Sequence, residues 1–200
     1  MLKIGSILST TRDSRFAEKP ANWILDKAKA HDGIEADLID LRDFDLPFFD
    51  EKATNLWVPS EDARAVQWQQ KLAKYDGFIF VVAEYNHSIS GVLKNALDQA
   101  YLEWVRKPAA FVGYGGVGAS RAVQHLRNIV GELQMASIRE AVHIGGGEFL
   151  RVSPMGDNKD MSEIDEIIGP KANDLLDDLV WWGEALKAAR AQSGPKYKKD

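Results

Sequence analysis

Four segments in the first 114 residues read as strands: Leu2–Leu8, Ile34–Asp40, Gly77–Ala83 and Pro108–Tyr114. The third, Gly-Phe-Ile-Phe-Val-Val-Ala, holds no polar side chain, the pattern of a central strand buried on both faces. Between and after them, apolar residues recur at three- and four-residue spacing over residues 15–30, 60–74, 91–98 and 120–133, which predicts helices. A fifth strand is predicted over residues 139–144. Residues 41–59 read as irregular, and residues 163–190 as helical with a break at Gly169-Pro170. Pro20 falls inside the first helical stretch, so the regular helix is expected to begin near Lys19 and to leave residues 12–19 as a longer loop. Strictly alternating strands and helices predict an α/β fold with a parallel sheet covered on both faces. With no internal repeat or linker, residues 1–191 read as one domain and residues 192–200 as a basic, frayed tail.

Three polar or glycine-rich segments lie just after predicted strands. In an open parallel sheet all strand C-termini share one edge, so these loops are expected to meet in one crevice. The first runs from Ser9 through Thr10, Thr11 and Arg12 to Arg15. Hydroxyls and guanidinium groups before a helix N-terminus suit a phosphate, since Arg offers paired, charge-assisted hydrogen bonds. The second carries Glu84, Tyr85, Asn86 and Ser88, short and aromatic polar groups suited to the edge of a pyrimidine-type ring. Ser88 or Ser90 is also expected to cap the helix that follows. The third contains Gly115, Gly116 and Gly118, where bare backbone allows a planar ring to approach closely. A phosphate loop and two ring loops together point to flavin mononucleotide (FMN).

Gly113-Tyr114-Gly115-Gly116-Val117-Gly118 also satisfies the Gly-x-Gly-x-x-Gly pattern of dinucleotide folds. It comes only after three strands have been used, and Glu140 falls near the start of the next strand rather than at its end, where a ribose partner belongs. A dinucleotide domain is therefore disfavoured.

These segments resemble the NADPH-dependent FMN reductase family over roughly residues 1–150. Ser9-Thr10-Thr11-Arg12 with Arg15 matches the family's Gly-Ser-x-Arg loop, with Ser for Gly and Thr for Ser. The stretch from Glu84-Tyr85-Asn86-His87-Ser88 to Leu93-Lys94-Asn95-Ala96-Leu97-Asp98 matches its second motif, with Ala83 where Pro is common. The resemblance implies a flavodoxin-like three-layer sandwich, a five-stranded parallel sheet of order 2-1-3-4-5. It also implies FMN as cofactor, NADPH or NADH as hydride donor, and a quinone, azo compound or flavin as acceptor. Homodimers or homotetramers are implied as well. Because the flavin carries the chemistry, no protein acid, base or nucleophile is assigned as catalytic. No second nucleotide module is evident, so both substrates are expected to use one open face of the flavin in turn, by a ping-pong mechanism. The rival readings are a non-catalytic flavodoxin-like electron carrier and a flavin-free regulatory protein on the same fold.

Composition narrows the classes further. At 200 residues, 45% hydrophobic and 28% charged, the chain can bury a substantial core. A net charge of −5 argues against broad nucleic-acid binding, and the absence of cysteine removes disulfide and thiolate chemistry. No apolar run approaches the roughly 18 residues of a membrane span, and the first strand begins at Met1, so a cytoplasmic location is expected. His31, His87, His125 and His143 lack ligand-pair spacing, which argues against a metal site. Trp181-Trp182 read as helix packing. Leu93, Ala96, Leu97, Ala100, Tyr101 and Trp104 form a helical stripe whose aromatic end is expected, with Trp57, to extend into a subunit contact.

Overall fold

Every residue of β3 (Gly77–Ala83) and β4 (Pro108–Tyr114) is buried, as their unbroken apolar sequences require of strands covered on both faces. The computed structural model describes residues 1–194, 196 and 197. β1 (Leu2–Leu8), β2 (Ile34–Asp40) and β5 (Ala136–Ile144) complete a parallel sheet of order β2-β1-β3-β4-β5. The sheet order is the flavodoxin-like one. β5 starts three residues before the expected position, because a register shift between Ala109 and Phe111 accommodates Ala136 and Ser137 opposite Pro108 and Ala109. Its alternating burial is that of an edge strand, and this blurred the apolar signal.

Helices α1 (Glu18–Ala30) and α6 (Asp165–Ser193) cover one face, with Ile24, Leu25, Leu176 and Leu179 packed on Leu2, Ile4 and Ile79. Helices α2 (Ala63–Leu72), α3 (Gly91–Asp98) and α4 (Ser120–Glu132) cover the other. There Trp68 and Trp104 are fully buried, and their indole N–H groups donate to Ala96 O and Leu97 O at 2.7 and 3.3 Å. Trp104 packs on Phe78 and Phe80 inside the chain and is fully buried, so it is not available for a subunit contact. Tyr101 is half-buried and Trp57 is 76% exposed.

Pro20 sits in the first turn of α1, where its missing N–H would have had no helical partner. Pro170 does not break α6 as the sequence suggested. The helix runs through it, because Pro170 and Glu166, the residue whose carbonyl loses a donor, both face solvent. α6 also continues to Ser193, so the expected tail begins later, and residues 195 and 198–200 lie outside the described residues. α6 packs closely on β1 at Gly183, where a Cβ would lie 2.4 Å from Leu2 Cδ1. Trp181 and Trp182 do not pack inward; they face solvent edge-on to each other, ring centres 5.1 Å apart. Among the described residues no helix is long and apolar enough to cross a membrane.

Candidate functional site

β1, β3, β4 and β5 deliver their following loops to one sheet edge, as parallel pairing demands. The loop after β1 is shaped from within. Ser9 Oγ donates to Val81 O at 2.5 Å, and Ser9 O accepts from Ser90 Oγ at 2.5 Å. Ser90 also accepts the Leu93 N–H as the N-cap of α3. Arg15 turns inward, its side chain 3% exposed. Its guanidinium donates to Thr10 O, to Glu18 and in bidentate fashion to Asp40. The Asp40 hydrogen bonds raise the Arg15 pKa above its ordinary value. Burial pushes the Asp40 carboxyl up, but Arg15 and the Arg42 N–H more than offset this and hold it below the usual carboxylate range. Arg42 donates to Thr11 O and Arg12 O.

The carbonyls of the loop are thus tied to Arg15 and Arg42. Among the described residues, the N–H groups of Thr11, Arg12, Asp13 and Ser14 donate to no acceptor of the chain. Consecutive free N–H groups of this kind form an anion-binding nest. Arg12 is exposed, with its guanidinium carbon 5.5 Å from the centre of the Tyr85 ring.

After β3, Tyr85 and Ser88 exchange backbone hydrogen bonds of 2.8 and 3.0 Å around Asn86 (φ 51°) and His87 (φ 67°). Two consecutive left-handed residues make the tight primed turn usually given to Asn-Gly, with a strained His in the second place. Ser88 Oγ lies 2.8 Å from His125 Nδ1 on α4. Glu84 pairs with Arg121.

After β4, Gly115 (φ 139°) and Gly116 have open space where a Cβ would stand. Gly118 (φ 61°) has another reason to be glycine: its Cβ would lie 2.9 Å from His143 Cβ on β5. His143 Nδ1 donates to Gly118 O at 2.8 Å.

A cavity of about 650 Å³ joins the three loops, in the size range of small-molecule sites. Arg12, Ser14 and Phe16 line it from the first loop, Glu84 and Tyr85 from the second, Tyr114, Gly115 and Gly116 from the third. Burial raises the Tyr114 phenol to a pKa of about 12. Ser9, Arg15 and Gly118 stand behind the wall, and Asn86 and Ser88 form the turn beside it. Thr10 and Thr11 face a second, smaller cavity of about 390 Å³ that shares Arg12 and Tyr85 with the first.

The far wall was missed in the sequence: Gly146, Phe149, Leu150, Ser153 and Met155, from α5 (Gly146–Val152) and the segment after it. The run Gly145-Gly146-Gly147 directly after the fifth strand was the available signal, since that strand ends at the same edge. Lys19 on α1 anchors this wall through Val152 O, Lys159 O and Asn158 Oδ1 at 2.8–2.9 Å. Ser153 Oγ is buried on the wall with no hydrogen-bond partner among the described residues. The N–H nest, the open glycine backbone and this unpartnered hydroxyl fit a ligand with a phosphate, a polyol chain and a flat ring.

Comparison with known proteins places the chain in a family. Residues 2–148 match the family model described as NADPH-dependent FMN reductase. An NAD(P)H-dependent FMN reductase of a Nectria species is 36% identical over 128 residues, 61% of this chain and 64% of that protein. One from Schizosaccharomyces pombe is 34% identical over 137 residues, covering 66% and 68%. A 2-hydroxy-1,4-benzoquinone reductase from a Burkholderia species is 31% identical over 150 residues, covering 70% and 75%. The flavoenzyme FerB of Paracoccus denitrificans superposes with a TM-score of 0.68 over 92% of this chain and 98% of that one, at 22% identity, and so shares the fold. With residues 2–148 matched by the family model, the chain belongs to the NADPH-dependent FMN reductase family.

Proposed function

We propose that the chain passes hydride from NAD(P)H through FMN to a quinone, azo compound or flavin by a ping-pong mechanism. The observation that carries this reading is the meeting of an anion nest and two ring loops in one cavity. Bound FMN supplies the chemistry of taking up and giving back a hydride.

The protein binds, orients and shields. Arg12, the Ser14 hydroxyl and the free N–H groups of the first loop hold the phosphate, and Ser153 donates to the polyol or phosphate. Arg15, with Ser9 and Ser90, fixes the loop from behind. Tyr85 and the backbone of Gly115 and Gly116 wall the ring, and Asn86 and Ser88 define the turn that presents Tyr85. Phe149, Leu150 and Met155 offer apolar surface on the far wall. The outer side stays open, and the two substrates take turns there. The exposed side chains of Trp57 and Phe48 support assembly at least as a homodimer.

Adding FMN and then NADPH to the protein without oxygen is expected to give a yellow colour that bleaches. Colour without bleaching would leave an electron carrier, and no colour a flavin-free protein. Initial rates against NADPH at several fixed quinone concentrations are expected to give parallel double-reciprocal lines; converging lines would require a second site.

A further inference from the structure

A charged cluster beside the cavity has no place in the binding roles above. Glu84 directly follows β3 on the cavity wall, with its side chain only 8% exposed. Its Oε2 accepts the backbone N–H groups of Arg121 and Ala122 in the first turn of α4, at 3.2 and 3.4 Å. Its Oε1 accepts from Arg121 Nε at 2.5 Å. Arg121 Nη1 in turn donates to His87 Nε2 at 2.8 Å. One guanidinium therefore ties the end of β3, the strained residue of the Tyr85–Ser88 turn and the start of α4.

Two features mark this arrangement as more than a surface ion pair. The N-cap of α4, Ala119, offers no side-chain acceptor, so Glu84 caps that helix from another strand. A cation in a helix's first turn is opposed by the helix dipole, so Arg121 needs a local partner to be stable there. Burial pushes the Glu84 carboxyl up, but Arg121 and the α4 N–H groups more than offset it, leaving the group below its ordinary value and charged. A lone carboxylate on this wall would repel negative charge arriving on a bound ring.

We propose that Arg121 is a positioning residue of the flavin site, which holds Glu84 and His87 in place and cancels the Glu84 charge so that reduced FMN is not penalised. This rests on the FMN-dependent activity proposed above. The readout is the ratio of dissociation constants for reduced and oxidised FMN, which a purely structural tie would leave unchanged. In Arg121→Ala the ratio is expected to rise about tenfold, because the Glu84 carboxylate keeps only the α4 N–H groups and its uncancelled charge acts on the reduced ring. Glu84→Gln alone is expected to move it the opposite way, the Arg121 charge being left uncompensated. The double variant is expected to return to within about twofold of the parent, and Arg121→Lys to restore most of the loss.

Equal weakening of both redox forms in Arg121→Ala, or an unchanged ratio in Glu84→Gln, would overturn the proposal. The second variant decides the matter if the first does not fold. A parent protein that binds no FMN would instead overturn the proposed function, and this inference with it.

Discussion

Arg12 and Arg15 belong to the same loop and looked alike in the sequence, but their geometry predicts opposite losses. Arg15 is buried against Asp40, which is itself 19% exposed on its side chain. Breaking a buried pair costs about 3–5 kcal/mol, because the remaining charge loses its partner. Asp40 keeps some solvent and the Arg42 N–H, which lowers that figure, while Thr10 O loses a donor, which raises it. The net expectation for Arg15→Met is a loss of about 3 kcal/mol in urea unfolding at pH 7. Its acid limb should also flatten. The folded pKa of Asp40 is depressed, so its stabilisation is present above the unfolded value of 3.8 and disappears as pH falls below it. Without Arg15 the larger part of that contribution is lost, and only the Arg42 N–H and charge remain to support it. Arg12→Ala, exposed and with only the Tyr85 ring against its guanidinium, is expected to leave stability within about 0.5 kcal/mol. It should weaken FMN by about 1.5–3 kcal/mol, or about 10- to 150-fold, and leave riboflavin unchanged. Parallel titration of each apo-variant with FMN and riboflavin, beside its urea curve, checks both halves. An Arg15→Met protein of parental stability that discriminates against FMN alone would refute the reasoning, since Arg15 would then face the phosphate.

Ser153→Ala is expected to act with opposite signs on the apo and bound protein. Removing an unpartnered buried hydroxyl should raise the apo melting temperature, whereas FMN should bind weaker by about 1 kcal/mol, measured by fluorescence titration. Lys107 sets an alkaline signature, because burial lowers its pKa to about 8 from 10.5. Between those values the unfolded chain binds a proton that the folded one does not, so stability should rise with pH, by at most about 3 kcal/mol. Above pH 10 it should fall again, as Tyr114, held protonated to about 12 in the fold, loses its proton on unfolding. Urea curves from pH 7 to 11 test this, and Lys107→Met should remove the rise.

The strands show what the sequence determined by itself. Buried parallel strands must be apolar at nearly every position, so Leu2–Leu8, Gly77–Ala83 and Pro108–Tyr114 were legible to the residue, and the edge strand Ile34–Asp40 was legible from its alternating pattern. The sequence marked three of the four loops that parallel topology brings to one edge, and Pro20 marked where α1 could begin. The direction in which side chains point was decided only by tertiary structure. Arg15 finds Asp40 on β2, Ser9 is held by Ser90 and Val81, and Gly118 is glycine because of His143, each across a long stretch of chain. Trp104 closed the core rather than reaching a partner, and Pro170 was carried through α6 because the unpaired carbonyl faces water. The wall of Phe149 and Ser153 follows no local pattern, and the link from Glu84 through Arg121 to His87 exists only once β3 and α4 lie side by side. Local periodicity dictates which residues must be buried and where a backbone can turn. Which donor meets which buried acceptor depends on segments far apart in the chain, and only the packed fold brings them within hydrogen-bond reach.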